Sequence, residues 1–320
     1  MTPLLEVKDL VVNFALRGGD LTALNGVSFF LNQGERLGLV GESGAGKSVA
    51  GFSIINLISK PGYIAAGQVL FQGREISALP FEALRGIRGN MINMVFQDPM
   101  MTLNPVLTIG TQMVETLQAH QDISDKEAAA VAVEKLRQVH IPSPKRRLDQ
   151  YPHEFSGGMR QRIIIAIALL NNPKLIIADE PTTALDVTIQ AEIMDLFVEL
   201  CSQQEMGLIL ITHDLAVVSE TTEKIAVMYA GQIVEHGPTE EVVTEPKHPY
   251  TQGLIAALPQ GDQRGARLNQ IPGTMPTLTS IPDGCSFHPR CGQAEDICTR
   301  QSPNLRPIAA RGRLAACHLL

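Results

Sequence analysis

The chain has 320 residues, 26 Lys and Arg against 33 Asp and Glu, a net charge of −7, and five cysteines. Hydrophobic residues at 44% and charged residues at 18% allow a buried core and exclude wholesale disorder, and the length fits one large domain or two ordinary ones. The acidic balance argues against coating nucleic acid through bulk charge, and the longest apolar run, Ile163–Leu170, is eight residues, far short of the roughly 20 that span a bilayer.

In chain order, Leu4–Phe14 and Leu21–Leu31 alternate and are rich in β-formers. Arg36–Val40 is a short apolar strand running into a Gly-rich turn. The opening Met-Thr-Pro-Leu-Leu-Glu-Val-Lys-Asp has neither a basic nor an apolar signal region, so no secretory signal is expected and the cytosol is the expected compartment. A helix is expected from about Lys47 to Ile58, then strands over Gln68–Gln72 and Ile92–Phe96. From about Asn104 to Pro152 the pattern turns helical. Gly110–His120 and Ser124–His140 carry apolar residues at three- and four-residue steps, with Ser124 and Glu127 in a capping-box arrangement.

A helix rich in Ile, Ala and Leu follows Gly157, then the strand Leu175–Ala178, the amphipathic helix Val187–Gln204 and the strand Gly207–Thr212. Two short strands flank Ala230-Gly231, and a helix over Thr239–Thr244 closes the region. Near-continuous apolar strands alternating with helices predict an α/β domain around a buried, largely parallel sheet. Composition shifts after about Pro259: the last 60 residues hold six Pro, six Gly, seven Arg and four acids, a charge of +3 against −10 for the rest. Weak periodicity there predicts an appendage held by something other than an apolar core. The expected domains are residues 1–258 and an extension over 259–320.

Gly41-Glu42-Ser43-Gly44-Ala45-Gly46-Lys47-Ser48 matches G-x-x-x-x-G-K-[ST] between an apolar strand and a helix, the context this phosphate loop requires. Backbone N–H groups wrap phosphates there and the helix N-terminus adds a favourable dipole. Lys47 would reach the β- and γ-phosphates, and the Ser48 hydroxyl would ligate Mg²⁺. Leu175–Ala178 ends in Asp179 and Glu180. Asp179 is placed to hold Mg²⁺, and Glu180 to orient or deprotonate an attacking water. Read alone, the pair is a strand meeting a solvated acidic turn; the phosphate loop upstream gives it its meaning. Gln97 and His213 also follow apolar strands. They gain weight only from the constellation, as groups that could approach a γ-phosphate held by the loop.

Cys285, Cys291, Cys298 and Cys317 are spaced C-x₅-C-x₆-C-x₁₈-C, with no C-x₂₋₄-C zinc knuckle. Four thiols at this spacing suit a [4Fe–4S] cluster, zinc, or free regulatory cysteines, and the spacing leaves all three open. Disulfides are disfavoured in the cytosol. Arg290 and Arg300 stand beside the cysteines, positioned in sequence to offset anionic thiolates. Cys201, inside an amphipathic helix, is expected in the core.

Ser156-Gly157-Gly158-Met159-Arg160-Gln161 completes an ordered set: phosphate loop, Gln97, Ser-Gly-Gly, Asp179-Glu180, Ala184-Leu185-Asp186 and His213, all within 173 residues. On these motifs the sequence resembles the ATP-binding cassette (ABC) ATPases over about residues 4–245. The resemblance implies an ABC-type nucleotide-binding domain: a P-loop core with a parallel sheet, an N-terminal antiparallel β subdomain and a helical insert over about 98–155. It implies ATP and Mg²⁺ as ligands. Lys47, Gln97, Glu180 and His213 would be catalytic. Ser48, Gln97 and Asp179 would hold Mg²⁺, and residues 41–48 and Asp186 would contact nucleotide. Phe14 matches the aromatic that stacks on adenine, where many members carry Tyr; stacking survives that change, but a phenolic hydrogen bond does not. Ser156, Gly157 and Gly158, at a helix start, would clamp the γ-phosphate of ATP bound to a partner cassette. ATP would then join two cassettes head to tail, and one chain with one cassette needs a second.

Phe96-Gln97-Asp98-Pro99, Leu103-Asn104-Pro105, His248-Pro249-Tyr250-Thr251 and the cysteine tail with Pro289-Arg290-Cys291 resemble the ATPase subunits of bacterial dipeptide/oligopeptide permeases. That likeness implies ATP-driven peptide uptake, with the segment after Gln97 and the helical insert meeting a coupling helix of the membrane subunit. It implies a heterodimer with a sister ATPase subunit, two membrane permease subunits, a periplasmic substrate-binding protein acting through them, and no nucleic acid. The chain would sit peripherally on the cytoplasmic side of the bacterial inner membrane. It also implies a [4Fe–4S] cluster on Cys285, Cys291, Cys298 and Cys317, with zinc as the alternative. Two rival readings are a soluble ABC ATPase acting on nucleic acid or ribosomes, and a redox-regulated ABC ATPase in which the tail is primary.

Overall fold

The computed structural model describes residues 2–98, 102–183, 185–258, 269–308 and 312–320. Pro99, Ala184 and Pro259 lie outside the described residues. The chain opens with β1 (Leu5–Leu16), β2 (Gly19–Leu31), β3 (Arg36–Val40) and α1 (Lys47–Ile54). Next come β4 (Gly62–Phe71), β5 (Arg74–Glu75), α2 (Phe81–Arg85) and β6 (Ile92–Val95). A helical stretch holds α3 (Ile109–Gln118), α4 (Asp125–Gln138) and α5 (Pro144–Arg147), followed by α6 (Gly157–Ala168). Then β7 (Leu175–Asp179), α7 (Val187–Gln204), β8 (Gly207–Thr212) and α8 (Leu215–Thr221) alternate. The chain closes with β9 (Lys224–Tyr229), β10 (Gln232–Pro238), α9 (Thr239–Thr244), α10 (Pro249–Ala256), β11 (Arg306–Pro307) and β12 (Leu314–Ala315).

Two compact units are present: Met1–Asn32, Arg36–Ala78 and Leu210–Leu320 form the first, and Gln33–Glu35 with Leu79–Ile209 the second. The first holds an antiparallel sheet in the order β2-β1-β4-β5, the N-terminal β subdomain expected from the sequence. Leu5 stands between Leu31 and Phe71, and Phe14 between Leu21 and Gly62. Alternate residues of β1 are buried, so one face packs on a core and the other meets solvent.

The first unit also holds β3 parallel to β9, then β9, β10, β12 and β11 successively antiparallel. A largely parallel sheet was the expectation; this edge is antiparallel. The reason is the connection between β9 and β10. Ala230 and Gly231 both take positive φ, 45° and 78°, a two-residue hairpin turn that reverses the chain at once. Beyond it, β10 pairs with β12 of the extension, Glu235 opposite Ala315 and His236 opposite Leu314.

The extension is therefore held partly by strand pairing and ordinary packing, which its sequence did not predict. Phe287 is 3% exposed and lies against Tyr229 and Tyr250, at ring-centroid distances of 5.2 and 5.4 Å. Its strands are two residues long, too short to imprint a period on the sequence.

In the second unit β6 and β7 run parallel, Ile92 opposite Leu175 and Val95 opposite Ala178. All five residues of β7 are buried, the pattern of a strand covered on both faces. Asn93 on β6 donates from Nδ2 to the Ala168 carbonyl at 2.7 Å, tying the strand to the end of α6. At α4 the capping box forms as expected: Glu127 N–H donates to Ser124 Oγ at 3.4 Å and Ser124 N–H to Glu127 Oε2 at 3.2 Å. Helix α1 ends four residues before the expected Ile58. Asn56 takes the left-handed conformation, φ 50°, which Asn tolerates and which stops a helix. Cys201 is 1% exposed, a core residue as expected. No helix among the described residues is long and apolar enough to cross a membrane.

Candidate functional site

The sequence-derived residues divide between the units. Phe14, residues 41–48, His213 and the clustered cysteines lie in the first; Gln97, Ser156, Gly157, Gly158, Asp179, Glu180 and Asp186 lie in the second.

The phosphate loop joins β3 to α1. Lys47 is 5% exposed, and its ammonium curls back over the loop, donating to the Gly41 carbonyl at 2.8 Å and the Glu42 carbonyl at 3.0 Å. The Ala45 carbonyl accepts from Gly231 N–H of the β9–β10 turn at 2.9 Å, so the hairpin buttresses the loop from beneath. Gly46, with φ 100°, directly precedes the first turn of α1, a left-handed conformation that glycine takes at no steric cost. Gly41 is required by contact: a Cβ there would lie 2.2 Å from the Met228 carbonyl oxygen. Gly41→Ala is expected to lower the unfolding free energy by about 1–3 kcal/mol through overpacking, read as a lower urea midpoint with an unchanged slope. Phe14 is half-buried on β1, beside Gly62, where an added Cβ would come within 2.8 Å of its ring. His213 is exposed after β8.

In the second unit Asp179 closes β7 and is 4% exposed. Glu180 follows in the left-handed region, φ 45°, a conformation that costs a non-glycine residue about 1–3 kcal/mol. It turns its carboxylate off the strand end, where Oε2 accepts from Gln97 Nε2 at 3.2 Å and from Thr183 Oγ1 at 3.0 Å. Gln97 and Glu180, 83 positions apart, thus form one polar pair. Thr183 was not singled out from the sequence; its spacing of three from Glu180 was the available signal.

Ser156 caps α6, its Oγ accepting from Met159 N–H at 3.3 Å. Ser156 and Gly157 are exposed, leaving the helix start and its dipole open to an anion. Gly158 permits close helix packing: a Cβ there would lie 2.7 Å from Ile189 Cγ2 on α7. Asp186 caps α7, with Oδ1 accepting from Ile189 N–H at 3.0 Å.

A family model described as ABC transporter matches residues 24–183. The chain belongs to the ABC transporter family. A second model, described as the oligopeptide/dipeptide transporter C-terminal region, matches residues 234–298. Oligopeptide transport ATP-binding protein OppD of Bacillus subtilis (strain 168) is 50% identical over 311 residues, covering 97% of this chain and 87% of its own. OppD of Escherichia coli (strain K12) is 48% identical over 314 residues, 98% of this chain and 92% of its own. Among solved structures, the ATP-binding cassette MJ0796, a dimer in a post-hydrolysis state bound to ADP and Pi, is 28% identical. It aligns with a TM-score of 0.66 over 73% of this chain and 98% of its own. The α/β architecture is the ABC cassette fold.

In this ABC protein the extension reaches the phosphate loop. Arg290 is not directed at the cysteines as its sequence position suggested. Its Nη1 and Nη2 donate to Glu42 Oε2 and Oε1 at 2.7 and 3.0 Å. Arg300 pairs with Asp296 at 3.8 Å on the exposed surface. Sequence adjacency to Cys291 misled because a guanidinium fork is satisfied by a carboxylate wherever the fold supplies one. Tyr250 Oη accepts from Glu42 N–H at 2.8 Å. Burial pushes the Tyr250 phenol up, keeping it protonated.

Cys285, Cys291, Cys298 and Cys317 are free thiols that line one cavity with His248, Pro249, Phe287, His288, His318 and Leu319. Burial pushes the Cys285 and Cys317 thiols up. Among the described residues no group of three or more His, Cys, Asp or Glu is arranged to hold a metal ion. A metal site there therefore gains convergence of the four thiols from the fold, but no coordinating arrangement. Burial lowers the His248 pKa to about 4, so the imidazole is neutral and its Nδ1 accepts from Tyr250 N–H at 3.0 Å, capping α10.

Proposed function

We propose that this chain is the ATP-hydrolysing subunit of an ABC importer for peptides of the dipeptide or oligopeptide class. One observation carries the peptide assignment: the likeness to OppD extends over 97–98% of the chain and includes the oligopeptide/dipeptide C-terminal region at 234–298. In this reading residues 41–48 wrap the phosphates, Lys47 neutralises developing charge, and Phe14 stacks on adenine. Ser48, Asp179 and Gln97 would hold Mg²⁺. Glu180 orients and deprotonates the attacking water, supported by its contact with Gln97, and His213 approaches the γ-phosphate. Asp186 contributes to the nucleotide site. Ser156, Gly157 and Gly158 engage ATP on a partner cassette, supported by the exposure of Ser156 and Gly157.

The partner is a sister ATPase subunit in a heterodimer, docked on two membrane permease subunits that a periplasmic substrate-binding protein loads. The chain lies peripherally on the cytoplasmic face of the bacterial inner membrane. Val106 in the segment after Gln97 is 74% exposed, an apolar contact suited to a permease helix. The expected domains, a cassette over 1–258 and an extension over 259–320, belong to this reading. Reconstitution with two membrane permease subunits in liposomes tests it. Uptake of a labelled tripeptide should require ATP and cease in Lys47→Ala; ATP hydrolysis without peptide uptake would overturn the cargo class.

Cys285, Cys291, Cys298 and Cys317 would hold a [4Fe–4S] cluster. Support comes from four free thiols on one cavity, the donor chemistry such a cluster takes. When bound, it would cross-link the extension. Protein purified without oxygen is expected to be brown, with about four iron and four sulfide per chain; a colourless protein with one zinc per chain would exclude the cluster.

A further inference from the structure

Glu42, inside the phosphate loop, is held at both ends by residues far along the chain. Its main-chain N–H donates to Tyr250 Oη at 2.8 Å, from α10. Its carboxylate takes both Nη atoms of Arg290, 248 positions away. Neither anchor is loose. The Arg290 side chain is 6% exposed, and its Nε donates to the Pro272 carbonyl at 2.8 Å. Its guanidinium carbon lies 5.8 Å from the Tyr229 ring centroid and 6.0 Å from that of Phe287. Tyr250 is fully buried, edge-on to Tyr229 at 4.7 Å. Met275 lies near the loop: a Cβ built on Gly44 would be 3.9 Å from its Sδ.

The pinned residue shapes the ligand surface itself. The Glu42 carbonyl accepts from Ala45 N–H at 3.2 Å and from Lys47 Nζ at 3.0 Å. Displacing Glu42 therefore moves the loop backbone and the lysine together. A phosphate loop acts through preorganised N–H groups, and holding them in place before the ligand arrives lowers the entropic cost of binding. A surface ion pair would have little leverage, but this one is bidentate, largely buried and backed by aromatic rings.

We infer that Arg290 and Tyr250 are positioning residues of the phosphate loop, so that the C-terminal segment sets the affinity for the nucleoside triphosphate through Glu42. This rests on the reading that ATP binds at residues 41–48. The Arg290 backbone also lies in the turn that leads into Cys291: Arg290 N–H donates to the Phe287 carbonyl at 3.0 Å and Cys291 N–H to the His288 carbonyl at 3.2 Å. A change in the cysteine segment thus has a short mechanical route to the loop.

The test measures ATP affinity and steady-state hydrolysis on the full chain with its partner subunits, for Arg290→Ala, Arg290→Lys, Glu42→Gln, Tyr250→Phe and the Arg290→Ala/Glu42→Gln pair. Arg290→Ala and Glu42→Gln should each weaken ATP binding by about 5- to 20-fold, within the usual range of a coupling between sites, and Arg290→Ala should do so with kcat at saturating ATP largely kept. The double variant should bind no worse than the weaker single one, since both remove the same link. Arg290→Lys keeps the charge without the fork and should recover only part of the affinity. Tyr250→Phe keeps the ring packing and should raise Kd more modestly. Thermal unfolding of each variant separates loss of fold from loss of affinity, and Tyr250→Phe and Glu42→Gln keep the test decisive if Arg290→Ala does not fold. Unchanged affinity in folded Arg290→Ala or Glu42→Gln, or simple addition of their effects, overturns the positioning role. A wild-type chain that binds no ATP overturns instead the nucleotide reading beneath it.

Discussion

Glu180→Gln is expected to lower ATP turnover by about 10²- to 10⁴-fold, the usual worth of a positioned general base, while leaving ATP binding intact. The substitution is close to isosteric. The amide oxygen of glutamine still accepts from Gln97 Nε2 and Thr183 Oγ1, which both donate to the Glu180 carboxylate. The backbone at φ 45° is equally tolerable for either side chain, because strain there arises at Cβ, which both share. What changes is the ability to take a proton from water. Bound ATP then persists, and if the Ser156–Gly158 helix start engages it across a cassette pair, the pair outlives the wild-type one. Phosphate release and size-exclusion chromatography with Mg²⁺–ATP read the two effects separately. Turnover at the wild-type rate would remove Glu180 from the chemical step. Turnover lost together with ATP binding would place its role in the fold of the strand end.

That the acidic pair was legible in the sequence follows from the physics of the site. A phosphate loop needs its glycines, lysine and hydroxyl on consecutive turns of one segment, so residues 41–48 declare themselves without help from the fold. The strand Leu175–Ala178 places Asp179 and Glu180 at its end just as locally, but the pair takes its meaning from the phosphate loop upstream. Gln97 was weak alone and gained weight only from order along the chain; its 3.2 Å approach to Glu180 depends on β6 pairing with β7 in parallel, which no local pattern states. The same limit hid the Glu42–Arg290 contact. Arg290 was assigned to the thiols because Cys291 is its neighbour in sequence, whereas the partner that satisfies its fork lies 248 positions away. Helix α10 also escaped, since its start depends on a buried His248 accepting from Tyr250 N–H, a cap that the usual Ser, Thr, Asp or Asn signal does not describe. Period-based reading finds faces of long elements; it cannot find pairs, nor strands of two residues.

One such pair should dominate the stability of the extension. Glu235→Ala is expected to cost about 3–5 kcal/mol, the loss seen when one partner of a buried ion pair is removed. Glu235 is 0% exposed, and three donors converge on it. Arg313 Nη2 and Lys247 N–H reach Oε1 at 3.0 and 2.9 Å, and His248 N–H reaches Oε2 at 2.9 Å. Arg313 is itself 2% exposed; its Nη2 also meets the Glu245 carbonyl, and its Nε has no hydrogen-bond partner among the described residues. Alanine at 235 strands a buried guanidinium, the buried His248 N–H and the half-buried Lys247 N–H at once. Arg313→Met should cost less, because the carboxylate it leaves behind keeps both backbone donors and the methionine fills part of the space. Removing both partners with Glu235→Leu/Arg313→Met should restore only part of the loss. The stranded charge is gone, but Lys247 and His248 N–H still lack an acceptor, at about 1–3 kcal/mol for each group left unsatisfied. Urea unfolding of the three variants gives the order directly. A cost for Arg313→Met equal to or above that of Glu235→Ala would mean that the charge pair, not the backbone donors, sets the stability here. The expected order gives Glu235 a further role: by fixing Lys247 and His248 N–H it sets the start of α10, and through α10 the place where Tyr250 meets Glu42.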